Sequence, residues 1–219
     1  MAETTVPPAV LLMARAPRPG TVRPALEPML GSARCAELQA ALMERACAWA
    51  IETAPGAVHV GYEPVDAGPE LRALLGPDVS LFPQNGPGIS GRLAQASARL
   101  FARGDGPVLI VWPDLARWRR EHAVAALGDL AAGCDVALGP EFDGGFYMIG
   151  LARPVPALFQ LPERAWRSPD AMSAAIVAAR EADLEVGLLR AERGLRRPED
   201  VRALLADPLT DPEIRELLT

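Results

Sequence analysis

The chain alternates short apolar runs with longer stretches of helical periodicity. "AVLLMA" at 9–14 predicts a buried strand, and the Pro/Gly/Arg-rich "RAPRPGTVRPALEP" after it predicts a loop over 15–28. Apolar positions over 32–54 recur at helical spacing, with Ser32 and Glu37 as helix-entry chemistry that misses a strict capping box. Further strands are expected at 57–62, 79–83, 107–112, 135–140 and 145–151, with a last one in "LEVGLL". Helices are expected at 69–76, at 90–104 after the loop "QNGPG", within 114–133, at 168–183 and at 197–207. Ser168 as N-cap and Pro169 at the first position open the fourth of these.

Strands that alternate with helices predict a three-layer α/β/α sandwich with a mainly parallel sheet. No repeat, linker or composition break interrupts residues 1–219, so one domain is expected. Ligands of such folds bind at the carboxyl ends of the strands. That rule selects the loops 15–28, 84–91, 113–117 and 140–145.

Composition narrows the partners. The formal charge is −6 and all 22 basic residues are arginine. Net acidity argues against a nucleic-acid binder, while a small phosphorylated ligand would have to be met by guanidinium groups. Cys35, Cys47 and Cys134 show no metal-binding spacing and read as buried thiols in a reducing compartment. The N-terminal "MAETTVPPAVLLMARAPRPG" lacks a basic leader, and its apolar run is far shorter than the ~20 residues of a membrane span. A soluble cytoplasmic protein with no membrane partner is expected, and the sequence leaves its oligomeric state open.

The selected loops carry the candidate chemistry. Arg15, Arg18 and Arg23, on a loop stiffened by Pro17, Pro19 and Pro24, suggest an anion cradle that is neither a Walker A loop nor GxGxxG. Asp114, directly after the strand "VLIVW", could hold a divalent cation or cap the following helix. In "GPEFDGGFYMIG", Asp143-Gly144-Gly145 reads either as a hairpin turn or as a site that a ligand approaches closely. His59 and His122 read as structural histidines. Among the tryptophans only Trp112 and Trp166 are placed to stack on a base or sugar, while Trp118 reads as core.

In that order the loops resemble the small bacterial nucleotide-diphospho-sugar transferase-like family of the glycosyltransferase-A fold, which includes relatives linked to arsenosugar biosynthesis. Phospholactate and molybdenum-cofactor guanylyltransferases form a related branch. "GPEFDGGFYMIGL" is similar to the family's GP-x-x-DGG-Y-Y-x-x-G, with Phe at the first aromatic place. "ARAPRPGTVRPAL" is similar to K-x-P-x-x-G-x-V-K-T-R-L, "LFQLPERAWRSPDAM" to a W-S-T-P segment and "RPEDVRAL" to T-P-E-D-L. Departures fall at Arg15 and Arg23 (lysines in the family), at Pro24-Ala25 (Thr-Arg) and at Ala116, where the family's Asp-x-Pro loses its proline. Gly194-Leu195-Arg196 stands where the family has Asp-x-Asp.

The resemblance implies a glycosyltransferase using a nucleotide-diphospho-sugar donor and a small-molecule acceptor, with Mg or Mn as cofactor. Nucleotide contacts would come from Ala14, Arg15, Gly20, Arg23 and Arg92. Asp114 would hold the metal, Gly144, Gly145 and Trp166 would meet sugar or acceptor, and Asp143 with Arg23 would serve catalysis. Two alternatives stay open: a nucleotidylyltransferase that joins a nucleoside triphosphate to a small phosphorylated acid, and a nucleotide-binding or scaffold protein without turnover. The arginine in place of an acid at 196 would either replace part of the metal's charge or mark lost catalysis.

Overall fold

The structure, a computed structural model, describes residues 7–166 and 168–219. Residues 1–6 of the N-terminal reading, and Arg167 inside the segment likened to W-S-T-P, lie outside the described residues. Among the described residues, seven strands form one sheet: β1 Ala9–Arg15, β2 Val58–Glu63, β3 Ser80–Pro83, β4 Val108–Val111, β5 Val136–Pro140, β6 Phe146–Leu151 and β7 Val186–Leu188. Their order is β3-β2-β1-β4-β6-β5-β7.

Helices α1 Glu27–Leu30, α2 Ser32–Thr53, α3 Gly68–Leu75, α4 Gly88–Ala102, α5 Arg120–Ala131, α6 Glu163–Trp166, α7 Ala171–Glu181, α8 Pro198–Ala206 and α9 Pro212–Leu217 complete the described elements, with a 3-10 turn at Pro156–Phe159. The fold is the expected three-layer sandwich. None of the described helices is long and apolar enough to cross a membrane.

The pleat sorts the core. Val10, Leu12 and Ala14 of β1 face one layer with Met43 and Ala46 of α2, Leu71 of α3 and Ala123 of α5. Ala9, Leu11 and Met13 face the other layer with Leu93 and Leu100 of α4 and Ala175 and Ala179 of α7. Buried on both faces, β1 reads as a continuous apolar run rather than an alternating one. A third cluster, with Leu26, Leu38, Leu42, Leu195, Val201, Ile214 and Leu218, fastens α8 and α9 to α2.

β6 is the exception to parallel pairing. It runs antiparallel to both β4 and β5, because the short loop 141–145 joins β5 to β6 directly and no crossover intervenes.

Other boundaries also move. Part of the expected loop 15–28 becomes α1. Ser168 does not cap the long helix: its Oγ accepts from the Asp170 amide at 3.1 Å and donates to the Ala165 carbonyl, closing a turn ahead of α7, whose N-cap is Asp170. Trp166 ends the short helix α6. The α9 helix lies beyond the expected elements, yet its opening is explicit: Asp211 accepts the Glu213 amide at 3.0 Å and Pro212 sits at the first position. Cys35 and Cys47 are buried free thiols in α2, and Cys134 is half-buried.

Candidate active site

β1 adjoins β2 on one side and β4 on the other, so the chain changes direction between these strands and leaves a crevice at their carboxyl ends. A cavity of about 410 Å³ occupies it, within the size range of small-molecule sites. Ala14, Arg15, Arg23, Arg92, Trp112 and Asp114 all line it. Three of the four selected loops thus meet at one place. A neighbouring cavity of about 220 Å³ is lined by Asp143, Gly145, Trp166, Ser168 and Arg197, and it shares Ala25 and Arg196 with the first.

The arginines of the first loop do not act together. Arg15 donates to Glu63 through Nε at 2.9 Å and Nη2 at 2.7 Å, and to the Thr21 carbonyl at 3.1 Å. Arg92 on α4 reaches the other oxygen of the same carboxylate, so Glu63 ties the two basic walls together. Arg18 turns away to Asp66 and Glu70 and lines neither cavity. Gly20, expected at the nucleotide, is exposed and also lines neither; its φ of 74° serves a turn.

Arg23, expected to hold phosphate, is committed to the protein. Its side chain is only 4% exposed and donates to the Leu195 carbonyl, to the Pro113 carbonyl at 2.7 Å and to Asp114 at 3.3 Å. Its backbone sits in the left-handed region at φ 51°. Desolvation lowers its pKa, with Asp114 acting against that. The correction is physical: a buried guanidinium satisfies carbonyls of two distant segments before it can serve a ligand.

Asp114 does not cap α5, which begins at Arg120. Its Oδ1 faces Arg23, and its Oδ2 accepts from Arg196 Nε at 3.0 Å. Arg196 also lies 2.9 Å from Glu141 Oε2 and 3.7 Å from Asp143 Oδ2, so three carboxylates surround one guanidinium. Burial works against the Arg196 charge, but Asp114, Glu141 and Asp143 outweigh it and raise its pKa.

The motif comparison marks Arg196 as a charge in place of an acid without naming its partners, and nothing in the sequence singles out Glu141 within the glycine-rich loop. The tail after β7 delivers Arg196. Glu192 pairs with Glu141, then Gly194 bridges Leu115 and the Leu195 amide donates to the Asp114 carbonyl at 2.7 Å.

The Asp-Gly-Gly loop is both turn and wall. Asp143 Oδ1 accepts the Gly145 amide at 3.0 Å inside the β5–β6 hairpin, while Asp143 and Gly145 line the second cavity. Gly144 does not line it. With φ 89°, its position leaves no room for a side chain: an added Cβ would lie 1.9 Å from the Pro169 carbonyl oxygen. Trp112 lines the first cavity and Trp166 the second, whereas Trp118 stacks on Trp49 with centroids 4.4 Å apart. His122 is buried against Glu192 at 3.3 Å, and His59 faces Asp105 at 3.5 Å.

Glu141 is the most unusual acid. Its side chain is fully buried, and neither oxygen has an aligned hydrogen-bond donor among the described residues, despite the 2.9 Å approach of Arg196. Burial raises its pKa well above the ordinary 4.5; Arg196 opposes this, and Asp114 and Asp143 add to it. The folded protein therefore holds this proton more tightly than the unfolded chain does. Stability from this group is present at low pH and is lost as pH rises from about 4.5 through the raised value. Glu141→Gln is expected to remove that dependence and to match or exceed wild-type stability at pH 8, read as urea midpoints from pH 5 to 8. A variant that loses stability equally at every pH would show that the charged form is the native one.

A divalent metal at Asp114 is not what these residues fit. Both Asp114 oxygens face guanidinium groups, and the described residues contain no group of three or more His, Cys, Asp or Glu able to hold a metal ion.

Solved structures share this architecture. A protein from Desulfovibrio desulfuricans G20, provisionally assigned as a nucleotide-diphospho-sugar transferase, superposes with a TM-score of 0.85 at 26% identity, covering 96% of this chain and 93% of that one. A 4-diphosphocytidyl-2C-methyl-D-erythritol synthase superposes at 0.56 with 14% identity, over 94% and 100% of the two chains. A cytidylyltransferase from Leptospira borgpetersenii serovar Hardjo-bovis gives 0.55 with 12% identity, over 97% and 92%. The last two show a shared fold only. No curated protein matches the chain. The family described as "Uncharacterized protein conserved in bacteria (DUF2064)" matches residues 46–167, more than half of the chain, and the protein belongs to that family.

Proposed function

We propose that the protein is a transferase of the nucleotide-diphospho-sugar type, with the nucleotide and its phosphates in the larger cavity and the sugar and acceptor in the smaller one. The observation that supports this reading best is charge. Four arginines and two carboxylates line the larger cavity, a local excess of positive charge in a chain whose net charge is −6. Such a site favours an anionic ligand, and Arg15 and Arg92 are the side chains with cavity-facing positions to meet a diphosphate.

In the reaction, an acceptor oxygen would bond to the anomeric carbon while the bond from that carbon to the diphosphate breaks. Arginines would stabilise the charge that builds on the leaving diphosphate, and this is the main device available here. Asp143 would take the acceptor's proton, provided the hydroxyl comes within hydrogen-bond reach of its less engaged Oδ2. Trp112 and Trp166, one in each cavity, offer flat apolar surfaces for base and sugar.

A panel of nucleoside diphosphates, triphosphates and nucleotide-sugars in a thermal-shift measurement tests this. A ligand at 100 times its dissociation constant adds roughly 2.7 kcal/mol, or about 5–11 °C for a chain of this size. Arg92→Ala should abolish the shift. No shift with any nucleotide would refute the reading. Release of pyrophosphate from a triphosphate would replace it with nucleotidyl transfer.

A further inference from the structure

The centre of the site holds a cation supplied by the chain. Arg196 is one third exposed, lies at the junction of the two cavities and lines both. Around its guanidinium stand Asp114 at 3.0 Å, Glu141 at 2.9 Å and Asp143 at 3.7 Å, from three separate loop positions. The charges of Asp114 and Asp143, converging beside the buried acid of Glu141, would repel each other without a positive charge between them. At Gly194 an added Cβ would lie 2.5 Å from Glu141 Oε1, so a larger residue there would push the Glu141 carboxyl out of its present position.

The fork is not used up by these contacts. Nε and Nη2 take the short approaches to Asp114 and Glu141, while among the described residues Nη1 has the 3.7 Å contact with Asp143. Nη1 therefore keeps N–H donors for a ligand that spans the junction. A metal ion at this place would need the carboxylate oxygens that Arg196 and Arg23 already hold.

We propose that the Arg196 guanidinium is a resident cation, held among Asp114, Glu141 and Asp143, that binds the diphosphate of the ligand without a divalent metal. The proposal rests on the nucleotide reading above for the identity of its ligand. It makes Arg196 a binding residue and explains how a site with Asp114 at its centre operates when both oxygens of that acid are engaged. A guanidinium offers a fixed planar fork in place of a metal's coordination shell, so phosphate recognition here is by charge-assisted hydrogen bonds.

The full chain, freed of metal with EDTA, would be titrated calorimetrically with ADP, CDP, GDP and UDP. The expected result is that at least one binds in EDTA, that added Mn²⁺ leaves its affinity unchanged, and that Arg196→Ala weakens it about tenfold or more. Mn²⁺ alone would be followed by electron paramagnetic resonance. Wild type should show no tight Mn²⁺ site, whereas Arg196→Asp, which adds a carboxylate to the cluster, should gain one.

If Arg196→Asp does not fold, Arg196→Ala carries the same comparison, because it leaves the acids at 114, 141 and 143 without their cation. A tight Mn²⁺ site in wild type that Asp114→Asn abolishes would overturn the proposal. So would diphosphate binding that requires Mn²⁺, or no gain of Mn²⁺ binding in a folded variant. If none of the four nucleotides binds under any condition, the transferase reading falls, and the Mn²⁺ titrations still decide the place of Arg196.

Discussion

Gly144→Ala is expected to lower stability by about 3–5 kcal/mol, or roughly 6–20 °C in melting temperature. Two costs combine. A side chain at φ 89° is strained, at about 1–2 kcal/mol for a non-glycine residue in the left-handed region. The larger cost is collision: the new Cβ would lie 1.9 Å from the Pro169 oxygen and 2.6 Å from its carbonyl carbon, and both are backbone atoms that cannot swing aside. The hairpin would have to part from the segment that leads into α7, where the Met172 amide donates to the Gly144 carbonyl at 3.1 Å.

Gly20→Ala is the matched control. It shares a positive φ of 74° but meets nothing within 4 Å, so only the strain of about 1 kcal/mol should appear. Differential scanning calorimetry of the two variants separates the terms. Equal losses would show that the contact with Pro169 contributes nothing.

Arg23→Ala is expected to cost about 3–5 kcal/mol, the range for removing one partner of a buried charge network. It strips the buried Leu195 and Pro113 carbonyls of their donor and leaves Asp114 to be neutralised by Arg196. Arg18→Ala should stay close to wild type, because Arg18 and its partners Asp66 and Glu70 form exposed pairs. Chemical denaturation compares the two variants. Loss of nucleotide binding in Arg23→Ala is then expected through displacement of Leu195 and its neighbour Arg196 rather than through a lost phosphate contact. A stable Arg23→Ala variant with intact folding and no nucleotide affinity would restore Arg23 to the phosphate site.

Both residues show where reading the chain succeeds and where it stops. Gly144 was legible as glycine with a purpose, since two glycines after an aspartate either turn the chain or admit a ligand. Folding decided between them at that position: the neighbour is Pro169, distant in sequence. Arg23 was legible as an arginine on a stiff loop after the first strand. Its direction was not, because the carbonyls it satisfies belong to residues 90 and 172 positions away.

Local pattern sufficed for the order of the strands and the long helices, for the layers and for the loops that meet at the crevice. These follow from periodicity, from turn chemistry and from the rule that parallel sheets gather their ligand loops at one edge. The same rule selected the loops that carry Arg15, Asp114 and Asp143, while Ala14 and Arg92 entered only through the family resemblance. Which charges neutralise one another depends on the folded chain. Arg196 meets Asp114 across 82 positions because the tail after β7 continues along the β5–β6 hairpin and then crosses to the loop after β4. Electrostatic partners in a low-dielectric junction are chosen by distances of a few ångströms, and separation along the chain carries no information about them.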